Sequence, residues 1–346
     1  MLTLEGFLNE VKSRLEKMYQ KEDGYTVELL PVKRAGDVEL DAVVIRDNNV
    51  NISPTIYLND YYEQYMEGMP ISSLVDKISS LYEKTKPAAS IDISNFTDFD
   101  KVKDKIVCRL YGKDNNKNMI KEQPYKEVED LIVTYSIDLE SKDGSLSSVK
   151  ISNNLMQKWD VSLEDLDRIA WENTKANNPA VVEDLFEVIK DSMLPSIMSD
   201  LEVSKDEAEE IFRNMNIDAG PRMICVSNKI KMFGAVSILD HVVQDEVKEA
   251  LGEDFYVIPS SVHEVLCIGK SQVDDYRTLE TMIQDVNTTQ VRPEEVLSGK
   301  PYYVDVAKHL LLKAETAEET LAKIKEQEKI KEIEKNQKIE EPILKM

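Results

Sequence analysis

The sequence predicts an α+β protein with two helix-and-sheet lobes, mostly antiparallel, joined by an acidic helical segment and followed by a charged C-terminal helix. Three observations predict it. Apolar residues alternate with period two in several short runs separated by turn residues, which marks locally paired strands. Between those runs, other segments repeat apolar residues at helical spacing and start on cap residues. The charge also shifts in the middle: residues 160–219 hold 16 acidic and 5 basic side chains, nearly half of a net charge of -23. These shifts divide the chain into an N-terminal lobe at 1–152, the acidic segment at 153–219, a C-terminal lobe at 220–312 and a tail at 313–346.

Taken in order, Leu4, Phe7, Leu8, Val11, Leu15, Met18 and Tyr19 predict an amphipathic helix over 3–20, stopped by Gly24. Strand-like runs follow at 25–32, 39–46 and 50–58, with Pro54 marking an edge or a bulge in the third. Asn59 is the expected cap of a helix ending at Gly68. Ile71, Leu74, Val75, Ile78 and Leu81 form the next helical face. Tyr57, Tyr61, Tyr62 and Tyr65 cluster, and one-turn spacing makes core packing the simplest account of them. After a polar stretch with a short helix near 98–105, residues 106–111 read as a strand, 112–118 as a loop and 131–139 as a half-buried strand. Asp143-Gly144 is a hairpin turn signal, with 145–152 as the returning strand.

The acidic segment reads as helices at 154–159, 162–174, 181–193 and 204–214. Ser162-Leu163-Glu164-Asp165 and Ser204-Lys205-Asp206-Glu207 both have capping-box form. From Met223 the alternation returns, with strands expected at 223–227, 234–239, 255–258, 262–268 and 302–306. Helices are expected after Asp240-His241 and on the face of Val273, Tyr276, Leu279, Met282, Ile283 and Val286. Residues 313–341 alternate Glu and Lys around a thin apolar stripe, a projecting helix.

Composition bounds the function. With 346 residues, 42% hydrophobic and 32% charged, the chain is long enough for a sizeable core. No apolar run approaches the roughly 20 residues of a membrane span, and the acidic start, Met1 to Phe7, does not resemble a secretory signal, so a cytoplasmic setting is expected. The strong negative charge disfavours direct binding to nucleic acid or to an acidic membrane. Cys108, Cys225 and Cys267 are far apart in apolar runs and are expected to be buried free thiols. With three histidines and no zinc-like spacing, no metal site is expected. Gly-rich phosphate loops and the hydrolase and metalloprotease motifs are missing, and no cofactor is expected.

The best candidate site is the polar corner Pro259-Ser260-Ser261-Val262-His263-Glu264 between two apolar runs. Ser260, Ser261, His263 and Glu264 suggest a nucleophile, a base and an orienting acid. Strand alternation argues against that reading, because His263 and Glu264 then point to opposite faces. A hydrogen-bonding role for His263 in fixing the corner is the simpler account. His241 reads as part of a helix-start pair with Asp240, and His309 as an ordinary residue before Leu310 to Leu312.

Asn51-Ile52-Ser53-Pro54-Thr55-Ile56-Tyr57, then Tyr61-Tyr62-Glu63, Trp171-Glu172-Asn173-Thr174 and Ile258-Pro259-Ser260-Ser261-Val262-His263-Glu264 resemble an uncharacterised bacterial family, the domain of unknown function 5688 of gut Firmicutes. The likeness spans roughly residues 5–310 and fades in the tail. It implies a cytoplasmic bacterial protein linked to mobile elements or phage, and it transfers no activity, cofactor or site residue. The expectation is a non-enzymatic interaction protein with an acidic docking surface for a basic protein, with Glu207, Glu209 and Glu210 as its candidate residues. The alternative is an enzyme or small-ligand-binding protein with a pocket at the 260–264 corner.

Overall fold

The structure, a computed structural model, describes residues 1–87, 94–140, 146–215 and 220–340. It is an α+β fold with three antiparallel sheets. The expected turn at Asp143-Gly144 lies outside the described residues.

The first 87 residues build one layer of helices on one small sheet. Helix α1 (Leu4–Met18) starts where the Thr3 hydroxyl accepts the Gly6 N–H, and it buries Phe7, Val11 and Leu15 at four-residue spacing. Strands β1 (Tyr25–Lys33), β2 (Glu39–Asp47) and β3 (Thr55–Tyr57) lie side by side in that order, so Pro54 precedes a short edge strand. Helices α2 (Asn59–Met66) and α3 (Ile71–Thr85) close the core with Leu74, Val75, Ile78 and Tyr82. Tyr61, Tyr62 and Tyr65 pack against this core, and Tyr62 and Tyr65 both lie 5.4 Å from the Phe7 ring. Asn59 does not cap α2; its Oδ1 accepts the Asp41 N–H and ties the helix start to the sheet.

The N-terminal lobe expected over 1–152 contains a second sheet with a different core. After the short helices α4 (Ser94–Thr97) and α5 (Phe99–Val102) comes β4 (Ile106–Gly112), buried at every position. Helix α6 (Lys117–Glu122), which begins at the end of the stretch read as a loop over 112–118, leads to β5 (Tyr125–Val128). Strand β6 (Leu131–Glu140) pairs with β4 on one side and with β5 and β7 (Leu146–Lys150) on the other. Helix α7 (Asn153–Trp159) follows, and α8 (Leu163–Asn177) lies on β4, where the Thr174 hydroxyl accepts the Cys108 N–H at 2.8 Å.

Residues 180–184 are not helical. They form β8 (Ala180–Asp184), paired with β9 (Met223–Asn228). The apolar residues of β8 run straight into α9 (Leu185–Leu201), so the local pattern hides the boundary. The strand's partner lies about 40 residues away, beyond any local signal. Helix α10 (Lys205–Asn214) returns along α9. Residues 234–239 likewise form a 3-10 helix and not a strand: six consecutive small and apolar residues, mostly buried, carry no usable period.

The six-stranded sheet has the order β13-β12-β10-β11-β9-β8. Its other strands are β10 (Phe255–Pro259), β11 (Val265–Gly269), β12 (Tyr302–Asp305) and β13 (Leu310–Lys313). One continuous core holds residues of this sheet, of the β4–β7 sheet, of α8 and of α11 (His241–Leu251). On other faces Ile258 and Ile268 meet Leu279 and Ile283 of α12 (Tyr276–Thr289), and Tyr303 and Leu312 meet Ala317 of α13 (Ala317–Glu340). The N-terminal layer is tied in through an Arg292–Asp60 ion pair at 3.0 Å and through one turn. Gly36 adopts a φ of 76°, and a side chain there would strike the Pro293 carbonyl at 2.6 Å. Its N–H donates to the buried Asn116, and Asp37 accepts the Lys117 and Asn118 N–H groups at the start of α6. No helix among the described residues is long and apolar enough to cross a membrane.

Candidate functional site

Strands β10 and β11 pair from Phe255 with Gly269 to Pro259 with Val265, so 260–264 form a five-residue hairpin loop. The strand expected from Val262 starts only at Val265. The loop is held by its own atoms. The Ser261 N–H donates to the Glu264 carbonyl, and the Ser261 hydroxyl accepts the His263 N–H at 3.0 Å. The Val262 N–H donates to the Glu295 carbonyl, and the Ser227 hydroxyl donates to the His263 carbonyl at 2.8 Å.

His263 and Glu264 point to different partners. The His263 Nδ1 accepts the Phe233 N–H at 3.0 Å, and its Nε2 faces the Glu295 carboxylate at 3.5 Å. An accepting Nδ1 leaves Nε2 as the ring nitrogen that carries the proton and faces Glu295. Both ring nitrogens are therefore engaged. The Glu264 carboxylate accepts from the Ser260 hydroxyl at 3.4 Å and from the Cys225 thiol at 3.7 Å. Neither serine hydroxyl bonds to the imidazole among the described residues, so the geometry of an activated nucleophile is not assembled. Burial, reinforced by the Glu264 charge, pushes the Cys225 thiol up to about 12, which keeps it protonated and unreactive at neutral pH.

The loop that meets His263 is bent. Lys231 and Phe233 both have positive φ, 53° and 56°. Asn228 holds the loop by accepting the Met232 N–H and donating to the Met232 carbonyl. Gly234 lets the next turn lie against β9, since a side chain there would meet the Asn228 nitrogen at 2.5 Å. The Phe233 ring lies between His263, with centroids 5.2 Å apart, and the Arg109 guanidinium, 4.5 Å from its centre. Arg109 is only 2% exposed and pairs with Asp138 at 2.5 Å, while Asn178 also donates to Asp138. The corner thus continues into a buried ionic and aromatic chain that local sequence does not reveal.

The acidic candidates are placed differently. Glu207 accepts both the Ser204 N–H and its hydroxyl, completing a capping box at the start of α10. Those bonds hold its carboxyl below the usual range. Ser162 makes only half of such a box: its hydroxyl accepts the Asp165 N–H, but the shorter Asp165 carboxylate bonds that hydroxyl and not the backbone. Glu209 is flanked by Lys205 at 4.0 Å and Arg213 at 3.8 Å. Glu210 is exposed. Helices α9 and α10 pack on each other around Leu194, Ile197, Ala208 and Phe212, a core of their own. The junction of this hairpin presents Asp200, Glu202 and Asp206, exposed and without ion pairs among the described residues, around Leu201, which is 55% exposed.

Two histidines come together unexpectedly. Asp240 caps α11 by accepting the Val242 N–H, while the His241 ring stacks on His309, centroids 4.3 Å apart and 9° from parallel. Among the described residues no group of three or more His, Cys, Asp or Glu side chains could hold a metal ion. Cys108, Cys225 and Cys267 are buried free thiols. Clefts of about 690, 250 and 420 Å³ lie away from the corner: between α1 and β1, beside Asp130 and Gln284, and between the starts of α12 and α13.

No curated protein and no solved structure matches this chain. A family model matches residues 4–305, most of the chain, and covers both the corner and the α9–α10 hairpin. The protein belongs to that family of unknown function (DUF5688).

Proposed function

We propose that this protein is a non-enzymatic, cytoplasmic interaction protein that docks a basic protein through the tip of the α9–α10 hairpin. One observation carries the reading: the tip's carboxylates Asp200, Glu202 and Asp206 carry no ion pair among the described residues, while Glu207 is engaged in a cap and Glu209 in ion pairs. Exposed acids beside an exposed leucine suit a partner that offers lysine or arginine around a small apolar pocket. The three buried free thiols fit a reducing compartment. A catalytic role for the corner finds no support in its geometry, because neither serine hydroxyl bonds to the imidazole among the described residues.

The test is affinity capture with the full chain at low and high salt, comparing wild type with the combined D200N/E202Q/D206N variant. The expected outcome is a basic protein held by wild type, released by high salt and not held by the variant. Capture that ignores those three charges, or no capture of a basic protein, overturns the reading.

A further inference from the structure

The cleft of about 420 Å³ between the starts of α12 and α13 is lined by Tyr256, Tyr276 and Tyr303. Tyr256 and Tyr303 meet edge to face with centroids 5.5 Å apart. Ala317 and Leu321, on the first turns of α13, pack against these two rings and form one wall. The other wall is the start of α12, where Asp275 caps the helix by accepting the Arg277 N–H.

Charge decides what this cleft can take. The α12 N-terminus, otherwise a place for an anion, is already neutralised by Asp275. Arg277 pairs with that same carboxylate at 3.3 Å. Glu315 is engaged with Lys300 at 2.7 Å and Lys313 at 3.7 Å. That leaves Asp274 and Glu318 without ion pairs among the described residues of the lining. Glu318 and Asp275 line the cleft beside Tyr256, and their charges add to the burial that raises the Tyr256 phenol. Two cations already use the cleft: the Lys270 ammonium lies 5.1 Å from the centre of the Tyr303 ring, and the Arg277 guanidinium lies 5.5 Å from that of Tyr276. Tyrosine faces with carboxylates behind them attract alkylated ammonium groups, which have little hydration to lose.

We propose that this cleft is a binding site for an organic cation of the alkylammonium class, with Tyr256, Tyr276 and Tyr303 supplying ring faces, Asp274 and Glu318 supplying charge, and Lys270 and Arg277 acting as internal competitors. The site shares no residue with the α9–α10 tip and does not depend on that tip's role. Two sources share the ligand chemistry: a free quaternary ammonium compound, or a lysine side chain of a peptide.

The test uses full-length protein with 13C-labelled tyrosine rings, titrated with tetramethylammonium chloride against sodium chloride at matched ionic strength. Saturable shifts of Tyr256, Tyr276 and Tyr303 with the organic cation alone are expected. Tyr276→Ala weakens binding about tenfold, and Tyr276→Phe keeps it. Lys270→Gln tightens it by freeing the Tyr303 face, an effect that loss of folding cannot mimic. A parallel titration with an acetylated, amidated trilysine peptide assigns the source: tighter peptide binding points to a protein ligand, and weaker to a free compound. Equal shifts with sodium, shifts unchanged by Tyr276→Ala, or weaker binding in Lys270→Gln overturn the proposal.

Discussion

The hairpin loop at 260–264 and the α9–α10 hairpin look alike in composition, since both concentrate polar and acidic residues between apolar runs. They differ in what those residues do. In the loop, His263 is engaged with Phe233 and Glu295, Glu264 with Ser260 and Cys225, and Ser261 with the His263 N–H. At the tip of α9–α10, Asp200, Glu202 and Asp206 face solvent without ion pairs among the described residues. A cluster of reactive residue types marks a site only if the fold leaves those residues without partners. Where the fold supplies partners, the same cluster is architecture.

The comparison breaks first, if it breaks, at Arg109. Replacing this buried arginine by methionine leaves the Asp138 charge with only the Asn178 amide as partner, and should cost about 3–5 kcal/mol in urea unfolding. A loss under about 1 kcal/mol would mean that the corner is not anchored through this chain. Next comes His263→Ala, which strips the acceptor from the positive-φ Phe233 and should cost about 1–3 kcal/mol while leaving capture of a basic partner intact in the folded fraction. The tip variant D200N/E202Q/D206N should do the reverse, keeping Tm and losing capture. If His263→Ala abolished capture in folded protein, the roles assigned to the two regions would be exchanged.

A smaller effect sharpens the contrast within the acidic hairpin. Ser204→Ala removes the Glu207 capping box and should cost about 1 kcal/mol, read as faster amide exchange confined to the start of α10. The smallest effect depends on pH. Burial alone would raise the Asp254 carboxyl, but Lys248 at 2.9 Å, the Val306 N–H and the Tyr303 hydroxyl outweigh it and hold it below its ordinary value. A depressed folded-state value means that this contribution is complete above the unfolded value near pH 4 and fades as pH falls below it. Asp254→Asn should therefore flatten the loss of stability as pH falls below about 4. An unchanged slope would show that Asp254 gains nothing from Lys248.

Much of the fold was legible locally because its signals are local. Phe7, Val11 and Leu15 announce α1, the period of residues 131–139 announces β6, and Ser204 with Glu207 announces the start of α10. The misreadings fall where local pattern is silent. Ala180–Asp184 pairs with a strand beyond an intervening helical hairpin, and 234–239 is mostly buried and so has no alternation to read. The candidate corner was legible as a place and not as a mechanism, since its residues could be named but their partners could not.

By itself, the sequence determined the class, the main helices, the two apolar runs that flank the 260–264 corner, the buried thiols and the concentration of acid in the middle. These follow from residue type and from periods of two or 3.6, which act over a few neighbours. Only the tertiary structure decided that His263 binds Phe233 and Glu295, that Arg109 lies over Phe233 and that Tyr256, Tyr276 and Tyr303 share a cleft with the start of α13. Those contacts join residues some 20 to over 100 positions apart. They exist because packing the sheets and helices brings their polar groups out of water together, and each buried group must then be satisfied by whatever the fold has placed beside it.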